Sequence, residues 1–214
     1  MKTEIYELHS KNPEVRELNI IVNRLRNSEV MLYPTDTGFT LGCQLGNKAA
    51  IEKLRWIRKL SDKKSLTFLC NNLSNISEYA NVSNLAYRTI RRLIPGPYTF
   101  ILPATKLLPR LAMHPTRKTA GIRVPDCNIS QSIISVMEEP IISISAKIDT
   151  ESEEDYLYLE PDDIIEKFYN LVDIVVASDN YNFKGESTVI DMVSDNFKIM
   201  REGANLDEVV SLID

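Results

Sequence analysis

The chain has 214 residues, 43% of them hydrophobic and 26% charged, and its formal net charge is −5. The composition is typical of a globular protein with a buried core, and the length suits one large domain. The acidic balance argues against a protein that binds nucleic acid without regard to sequence, because that kind of binding depends on a basic surface.

The cysteines and the N-terminal residues bear on where the protein works. The three cysteines are odd in number and share no short spacing, which favours free thiols in a reducing compartment over a disulfide framework or a zinc site. Residues 1–15 contain no apolar leader, and no stretch is long and apolar enough to cross a membrane. We therefore expect a cytoplasmic protein.

Apolar spacing predicts the order of helices and strands. A first helix begins at Pro13 with Asn12 as its cap, and its apolar face runs from Val15 to Leu25. The strand that follows is expected to end at Pro34. Strands are predicted at 30–33, 66–70, 98–102, 121–124, 141–145, 172–177, 188–192 and 198–201. Helices are predicted after Asn47 and after Ser83, and at 129–137, 161–169 and 206–213.

Strands and helices alternate along the whole chain. This favours an α/β fold in which a twisted, mixed β-sheet carries helices packed against it. No linker or internal repeat divides the chain, so we expect a single domain over residues 1–214.

Residues 149–163 stand apart, because they contain eight acidic side chains and no basic one. We expect a solvated loop that packs against the domain through residues 156–159 and keeps its carboxylates away from any bound phosphate. A disordered loop is the alternative.

The familiar catalytic and nucleotide-binding motifs are missing from the sequence. The two histidines stand at no spacing typical of a Ser-His-Asp triad. Neither a Gly-x-x-x-x-Gly-Lys-(Ser/Thr) loop nor a Gly-x-Gly-x-x-Gly fingerprint occurs. We therefore predict no catalytic nucleophile and no metal site built by the protein.

What remains is a series of short polar segments near strand ends. They are 33–43, 58–64, 119–125, 142–146, 186–191 and 201–203. Taken alone, each is weak evidence of a site, since turns and solvated surface have the same composition. Arg123 is the sharpest feature, because a guanidinium inside an apolar strand needs a partner. An internal salt bridge and a bound anion explain it equally well.

In this order, the segments resemble the motifs of the YrdC-like family of threonylcarbamoyl-AMP synthases. The matching residues are Pro34 to Gly42, Pro95 to Thr99, Thr119 with Arg123 and Pro125, Ser187 to Asp191, and Arg201 to Gly203. The resemblance extends over about residues 15–203, nearly the whole chain. It implies the family's single-domain YrdC-like fold, in which charged residues line a concave, twisted sheet that binds the ligand.

The resemblance also implies a reaction. L-threonine, bicarbonate and ATP give threonylcarbamoyl-AMP and pyrophosphate, for the modification of adenosine in tRNA. Carried over position by position, Thr35, Arg123 and Ser143 would hold threonine. The residues that face the nucleotide would be Arg58, Thr119, Ser145, Ser187 and Arg201. Mg²⁺ would arrive with ATP as part of the substrate, and tRNA or another RNA would be the macromolecular partner.

The chain departs from the family's motifs in two places, and the first departure, together with residues 95–102 and 117–125, most resembles the YciO-like branch. The family's Lys-x-Arg pair reads Arg58 and Leu60, so the second phosphate-binding cation is missing. The family's Thr-Ser-Ala-Asn motif reads Ile144 to Lys147. Two hypotheses follow: a synthase with weak turnover or an altered substrate, or a protein that binds a nucleotide or RNA without efficient turnover.

Overall fold

The computed structural model describes residues 2–61, 66–147 and 160–213, and within them it contains ten strands and seven helices. The strands are β1 (Glu4–Leu8), β2 (Met31–Thr35), β3 (Gly38–Gln44), β4 (Thr67–Leu69), β5 (Tyr98–Pro103), β6 (Thr119–Arg123), β7 (Ile141–Ser145), β8 (Ile174–Ser178), β9 (Thr188–Asp191) and β10 (Lys198–Arg201). The helices are α1 (Val15–Arg26), α2 (Lys48–Ile57), α3 (Leu73–Tyr79), α4 (Asn84–Leu93), α5 (Asn128–Met137), α6 (Pro161–Tyr169) and α7 (Leu206–Ile213). In these ranges, no helix has the length and apolar character that a membrane span requires.

The strands form one mixed sheet in the order β1-β8-β2-β3-β7-β4-β6-β5-β9-β10. Four neighbouring pairs are parallel, namely β1–β8, β8–β2, β4–β6 and β5–β9. The other five are antiparallel. The predicted α/β class, a mixed sheet with packed helices, is confirmed.

Side chains alternate between the two faces of each strand, so the sheet can bury apolar residues on both sides. On the first face, Leu32, Phe68 and Phe100 are fully buried. They belong to the same apolar cluster as Ile51 of α2 and Ile90 of α4. This cluster is the larger of the two that hold the fold together.

The opposite face is covered over only part of its width. Helices α1 and α5 contribute Ile21 and Ile133 to a second apolar cluster, which includes Tyr33 of β2 and Leu69 of β4. Further along the sheet, the side chains of this face are mostly small or hydroxyl-bearing. This uncovered part of the sheet is the floor of the cavity described below.

The start of α1 differs from the prediction. Glu14, not Asn12, occupies the N-cap position, and its side chain makes no capping hydrogen bond to the helix. Pro13 therefore precedes the helix. Val15 was expected on the apolar face, but it is 68% exposed, whereas Ile21 is fully buried.

Pro34 does not end the first predicted strand. Strand β2 continues through Pro34 and turns at Asp36 and Thr37 into β3, which pairs with it in an antiparallel hairpin. The proline is tolerated because β8 pairs with β2 only at Met31 and Leu32. Beyond those two residues, one edge of β2 carries no ladder hydrogen bonds that a proline would interrupt.

Three elements have no counterpart in the prediction, namely β1, β3 and α3. Of the acidic segment, only residues 160–163 are described, and they open α6, where the Asp163 carboxylate accepts a hydrogen bond from the Glu160 backbone N–H at 3.0 Å. The expected packing of residues 156–159 lies outside the described residues.

Ile21→Ala should cost about 2–5 kcal/mol of unfolding free energy, because it leaves a cavity in the cluster between α1, α5 and the sheet. Val15→Ala on the same helix is the matched control and should change stability by less than about 0.5 kcal/mol. Urea titration followed by far-UV circular dichroism measures both. Equal effects would contradict the described orientation of α1.

Candidate functional site

A cavity of about 400 Å³ opens on the part of the sheet that α1 and α5 leave uncovered. Its floor follows one row of directly paired residues on β7, β4, β6 and β5: Ser143, Thr67, Gly121 and Ile101. Residues paired across neighbouring strands point to the same face of the sheet. Because three of the four are small or carry a short hydroxyl side chain, the row leaves open the space that a ligand would fill.

Close neighbours require a glycine at Gly121 of this row and at Gly42 of β3, which is paired with Ser143. A Cβ atom on Gly42 would lie 2.6 Å from Cε1 of Tyr33, and one on Gly121 would lie 2.9 Å from Oγ1 of Thr67. Both distances are shorter than van der Waals contact between heavy atoms. A side chain at Gly121 would therefore displace Thr67 of the floor. One at Gly42 would displace Tyr33 of the second apolar cluster.

Seven of the eight residues that the family resemblance assigned to the ligand line this cavity. They are Arg58, Thr119, Arg123, Ser143, Ser145, Ser187 and Arg201. They come from four different strands or strand ends and from the C-terminal end of α2, so the fold brings together residues that are spread over more than 140 positions of the sequence. The ligand that each residue holds stays a prediction.

Thr35 is the residue that the structure does not bring into the cavity lining. It is buried, and its Oγ1 donates to the Gly38 carbonyl oxygen at 2.9 Å and accepts from the Thr37 backbone N–H at 3.2 Å. Thr37 lines the cavity instead. The motif contains both threonines, but the hairpin turn that separates their environments was not recognised in the sequence.

Arg123 has an internal partner, which is the first of the two explanations that the sequence left open. Its guanidinium forms an ion pair with Asp36, donates from Nη1 to the Thr37 hydroxyl and donates from Nε to the Gly96 carbonyl oxygen at 3.4 Å. The side chains of Arg123 and Asp36 are 6% and 1% exposed. Burial lowers the pKa of Arg123, and the charge of Asp36 opposes that shift.

The cavity also contains cations that are less deeply buried than Arg123. Arg58, at the end of α2, donates from Nη1 to the Lys147 carbonyl oxygen at 2.6 Å. Arg201, at the end of β10, donates from Nε and Nη2 to the Ser187 carbonyl oxygen at 3.0 and 2.8 Å, and from Nη2 to the Ser187 hydroxyl at 2.9 Å. That hydroxyl also lies 2.9 Å from the Thr99 hydroxyl.

One carboxylate lies among these cations. Glu186 forms an ion pair with Lys147, and its second oxygen lies 3.2 Å from Nη1 of Arg201. Glu186 has no role in the family's motifs, and Lys147 is one of the positions that depart from them. No local sequence pattern indicates an ion pair between two residues with 38 residues between them.

The charge of the cavity contrasts with that of the whole chain. Of the described residues that line it, Arg58, Arg123, Lys147 and Arg201 are cationic and Glu186 alone is acidic, whereas the chain carries a net charge of −5. The same described lining contains neither histidine nor cysteine. The arrangement favours an anionic ligand held by arginine, lysine and hydroxyl groups.

Comparisons of sequence identify relatives of two kinds. The model of the Sua5/YciO/YrdC family, described as "Telomere recombination", matches residues 23–203. An uncharacterised protein of Haemophilus influenzae is 39% identical over 94% of this chain and 96% of its own length, and YciO of Escherichia coli is 35% identical over the same shares. A threonylcarbamoyl-AMP synthase of Vibrio vulnificus is 30% identical over 65% of this chain and 76% of its own length.

Solved structures share the fold. The crystal structure of E. coli YciO has a TM-score of 0.85 at 34% identity and covers 97% of this chain and 99% of its own. P. abyssi Sua5 complexed with L-threonine has a TM-score of 0.87 at 23% identity, over 99% of this chain and 61% of its own. The expected fold, with its nearest likeness to the YciO-like branch, is confirmed.

Arg123→Met should lower the free energy of unfolding by about 3–5 kcal/mol, because it leaves the Asp36 carboxylate buried and unpaired. Adding Asp36→Asn should recover part of the loss, since that variant removes the uncompensated charge. Arg117→Met is the matched control: Arg117 pairs with Asp191 at 2.6 Å but is 45% exposed, so its loss should cost at most about 1 kcal/mol. Equal costs for the two single variants in urea unfolding would contradict the buried pair.

Proposed function

Because the chain belongs to the Sua5/YciO/YrdC family, we propose that it is a nucleotidyltransferase of the threonylcarbamoyl-AMP synthase type. It converts L-threonine, bicarbonate and ATP into threonylcarbamoyl-AMP and pyrophosphate. The observation that carries the proposal is the single cavity in which seven residues of the family's motifs converge. The name of the V. vulnificus relative and the threonine named in the P. abyssi complex support it.

The reaction requires no nucleophilic side chain from the protein. The amine of threonine and bicarbonate form a carbamate with loss of water, and a carbamate oxygen then attacks the α-phosphorus of ATP. A phosphorus–oxygen bond forms as the bond to the leaving pyrophosphate breaks and pyrophosphate takes the electron pair. The protein therefore has to bring the reactants together and to stabilise phosphate charge, which is consistent with a cavity lined by cations and hydroxyl groups.

The buried end of the cavity is the proposed threonine subsite. Within the described part of the chain, three of the five N–H groups of Arg123 have partners, in Asp36, Thr37 and Gly96. The remaining two are directed to the carboxylate of threonine, and the ion pair with Asp36 fixes the plane of the guanidinium. Ser143, on the floor row, lines the same cavity and offers a hydroxyl group.

The surroundings of the more exposed cations, Arg58 and Arg201, are the proposed nucleotide subsite. Arg58 and Arg201 contact the phosphates, and three hydroxyl groups face the rest of the nucleotide. These hydroxyls belong to Thr119, Ser145 and Ser187. Mg²⁺ enters with ATP and is held mainly by phosphate oxygens, which is the way this ion usually binds to nucleotides in proteins. The product would supply the threonylcarbamoyl group for adenosine in tRNA.

Leu60 favours a second candidate function. It lines the cavity at the position where the family's motif has its second cation, and its side chain packs partly against the larger apolar cluster. A protein that binds a nucleotide or RNA in the same cavity without efficient turnover would retain the fold and lose this charge.

A pyrophosphate-release assay separates the two candidates. Purified protein with MgATP should release pyrophosphate at a rate that rises when L-threonine and bicarbonate are both added. Either compound alone should have little effect, because the carbamate needs both. ATP binding by calorimetry without any threonine-dependent release would favour the binding protein.

Ser143→Ala should weaken the apparent affinity for threonine roughly fivefold, since a hydrogen bond contributes about 1 kcal/mol and 1.4 kcal/mol corresponds to a factor of ten. The KM for ATP should change less. Ser135→Ala, at an exposed position of α5, is the matched control and should leave both values unchanged. A threonine KM that is the same in Ser143→Ala and in the control would remove Ser143 from the threonine subsite.

A further inference from the structure

Glu186 and Lys147 join the two sides of the cavity. Lys147 follows β7 and Glu186 precedes β9, and three strands, β4, β6 and β5, lie between them in the sheet. In a flat sheet four strand spacings amount to roughly 19 Å. The direct ion pair between the two side chains therefore spans the strands that carry the floor row.

The groups that hold the Glu186 carboxylate are the groups that a phosphate would need. Its two oxygens contact Lys147 and Arg201, and Arg58 binds the backbone of Lys147 at 2.6 Å. A carboxylate and a phosphate are both anions with several acceptor oxygens, and lysine and arginine bind either. Glu186 thus occupies a ready-made anion subsite.

The ion pairs of Glu186 are partly exposed, so their contribution to the free energy is small. The side chains of Lys147 and Glu186 are each 37% exposed, and that of Arg201 is 43% exposed. Partly exposed pairs contribute little, because water and salt screen them. A polyphosphate, with more negative charge and more acceptor oxygens than one carboxylate, can take over both cations.

Lys147 also supplies a positive charge in place of the cation that the family's motif has at the position of Leu60. Both residues line the same cavity as Arg58, which precedes Leu60 by two positions and donates a hydrogen bond to the Lys147 carbonyl oxygen. The number of cations near Arg58 is therefore kept, although the second one comes from a different segment.

We propose that Lys147 and Arg201 form a polyphosphate subsite and that Glu186 fills it in the ligand-free protein, to be displaced when the nucleotide binds. This inference rests on the proposed function only in taking the ligand to be a nucleotide triphosphate. It assigns Lys147 as a phosphate-binding residue and Glu186 as a competing intramolecular anion.

The test uses two probes, MgATP and inorganic tripolyphosphate, with calorimetry on the full chain. Glu186→Gln should bind both probes more tightly, by about threefold, because the internal competitor loses its charge. Lys147→Met should bind both about tenfold more weakly. Leu60→Arg added to Lys147→Met should restore part of the affinity, whereas Leu60→Met in the same background should not.

The matched controls come from the exposed pair of Lys48 and Glu52 on α2, which are 3.7 Å apart. Lys48→Met and Glu52→Gln should leave both affinities unchanged, and thermal melts should show that every variant is folded. Unchanged or weaker probe binding in folded Glu186→Gln would overturn the competing-anion role. Wild-type affinity in folded Lys147→Met would overturn the phosphate-binding role.

The outcome is separable from that of the proposed function. Threonine-dependent pyrophosphate release with no change of affinity in Lys147→Met and Glu186→Gln would leave the function standing and overturn the inference. The expected shifts of tripolyphosphate affinity without threonine-dependent release would support the inference and contradict the proposed reaction.

Discussion

The buried ion pair between Arg123 and Asp36 is the interaction on which the site depends. Arg123 ends β6 and Asp36 lies in the turn between β2 and β3, so the pair joins two segments that the sheet separates by β7 and β4. A buried charge without its partner is costly, and each side chain therefore holds the other in place. The same guanidinium also donates a hydrogen bond to Thr37 in the hairpin turn. It therefore holds the turn, which lines the cavity through Thr37, against β6.

Two ion pairs thus join separated strands around one cavity, and burial distinguishes them. The Arg123–Asp36 side chains are 6% and 1% exposed, whereas those of Lys147 and Glu186 are each 37% exposed. The first pair suits a permanent framework, because separating it would leave charges in a poorly solvated interior. The second can be exchanged for a ligand at little cost, because water replaces much of what each partner loses.

Much of the fold could be predicted from periodicity. The bounds of β7, β10, α6 and α7 agree with those expected, since each is a short apolar or amphipathic run between clear breakers. Strand β3 was missed because its sequence, with two glycines and a threonine, has a polar face. Thr40 of that face lines the cavity, and the alternation in this segment was interpreted as a loop.

Less of the site could be predicted, for a different reason. The ordered motifs led to seven residues that share one cavity, but motifs do not give the contacts between them. Arg123 and Asp36 are 87 positions apart, and nothing local identifies which of many carboxylates pairs with the arginine. Thr37 and Glu186 were missed on the same grounds, because their roles follow from tertiary contacts.

The most direct test of this account is a crystal structure of the protein with a non-hydrolysable MgATP analogue. The account predicts the triphosphate against Arg58, Lys147 and Arg201, with the Lys147–Glu186 contact broken and the Arg123–Asp36 pair intact. A triphosphate bound elsewhere, or bound here while Lys147 and Glu186 remain paired, would contradict it.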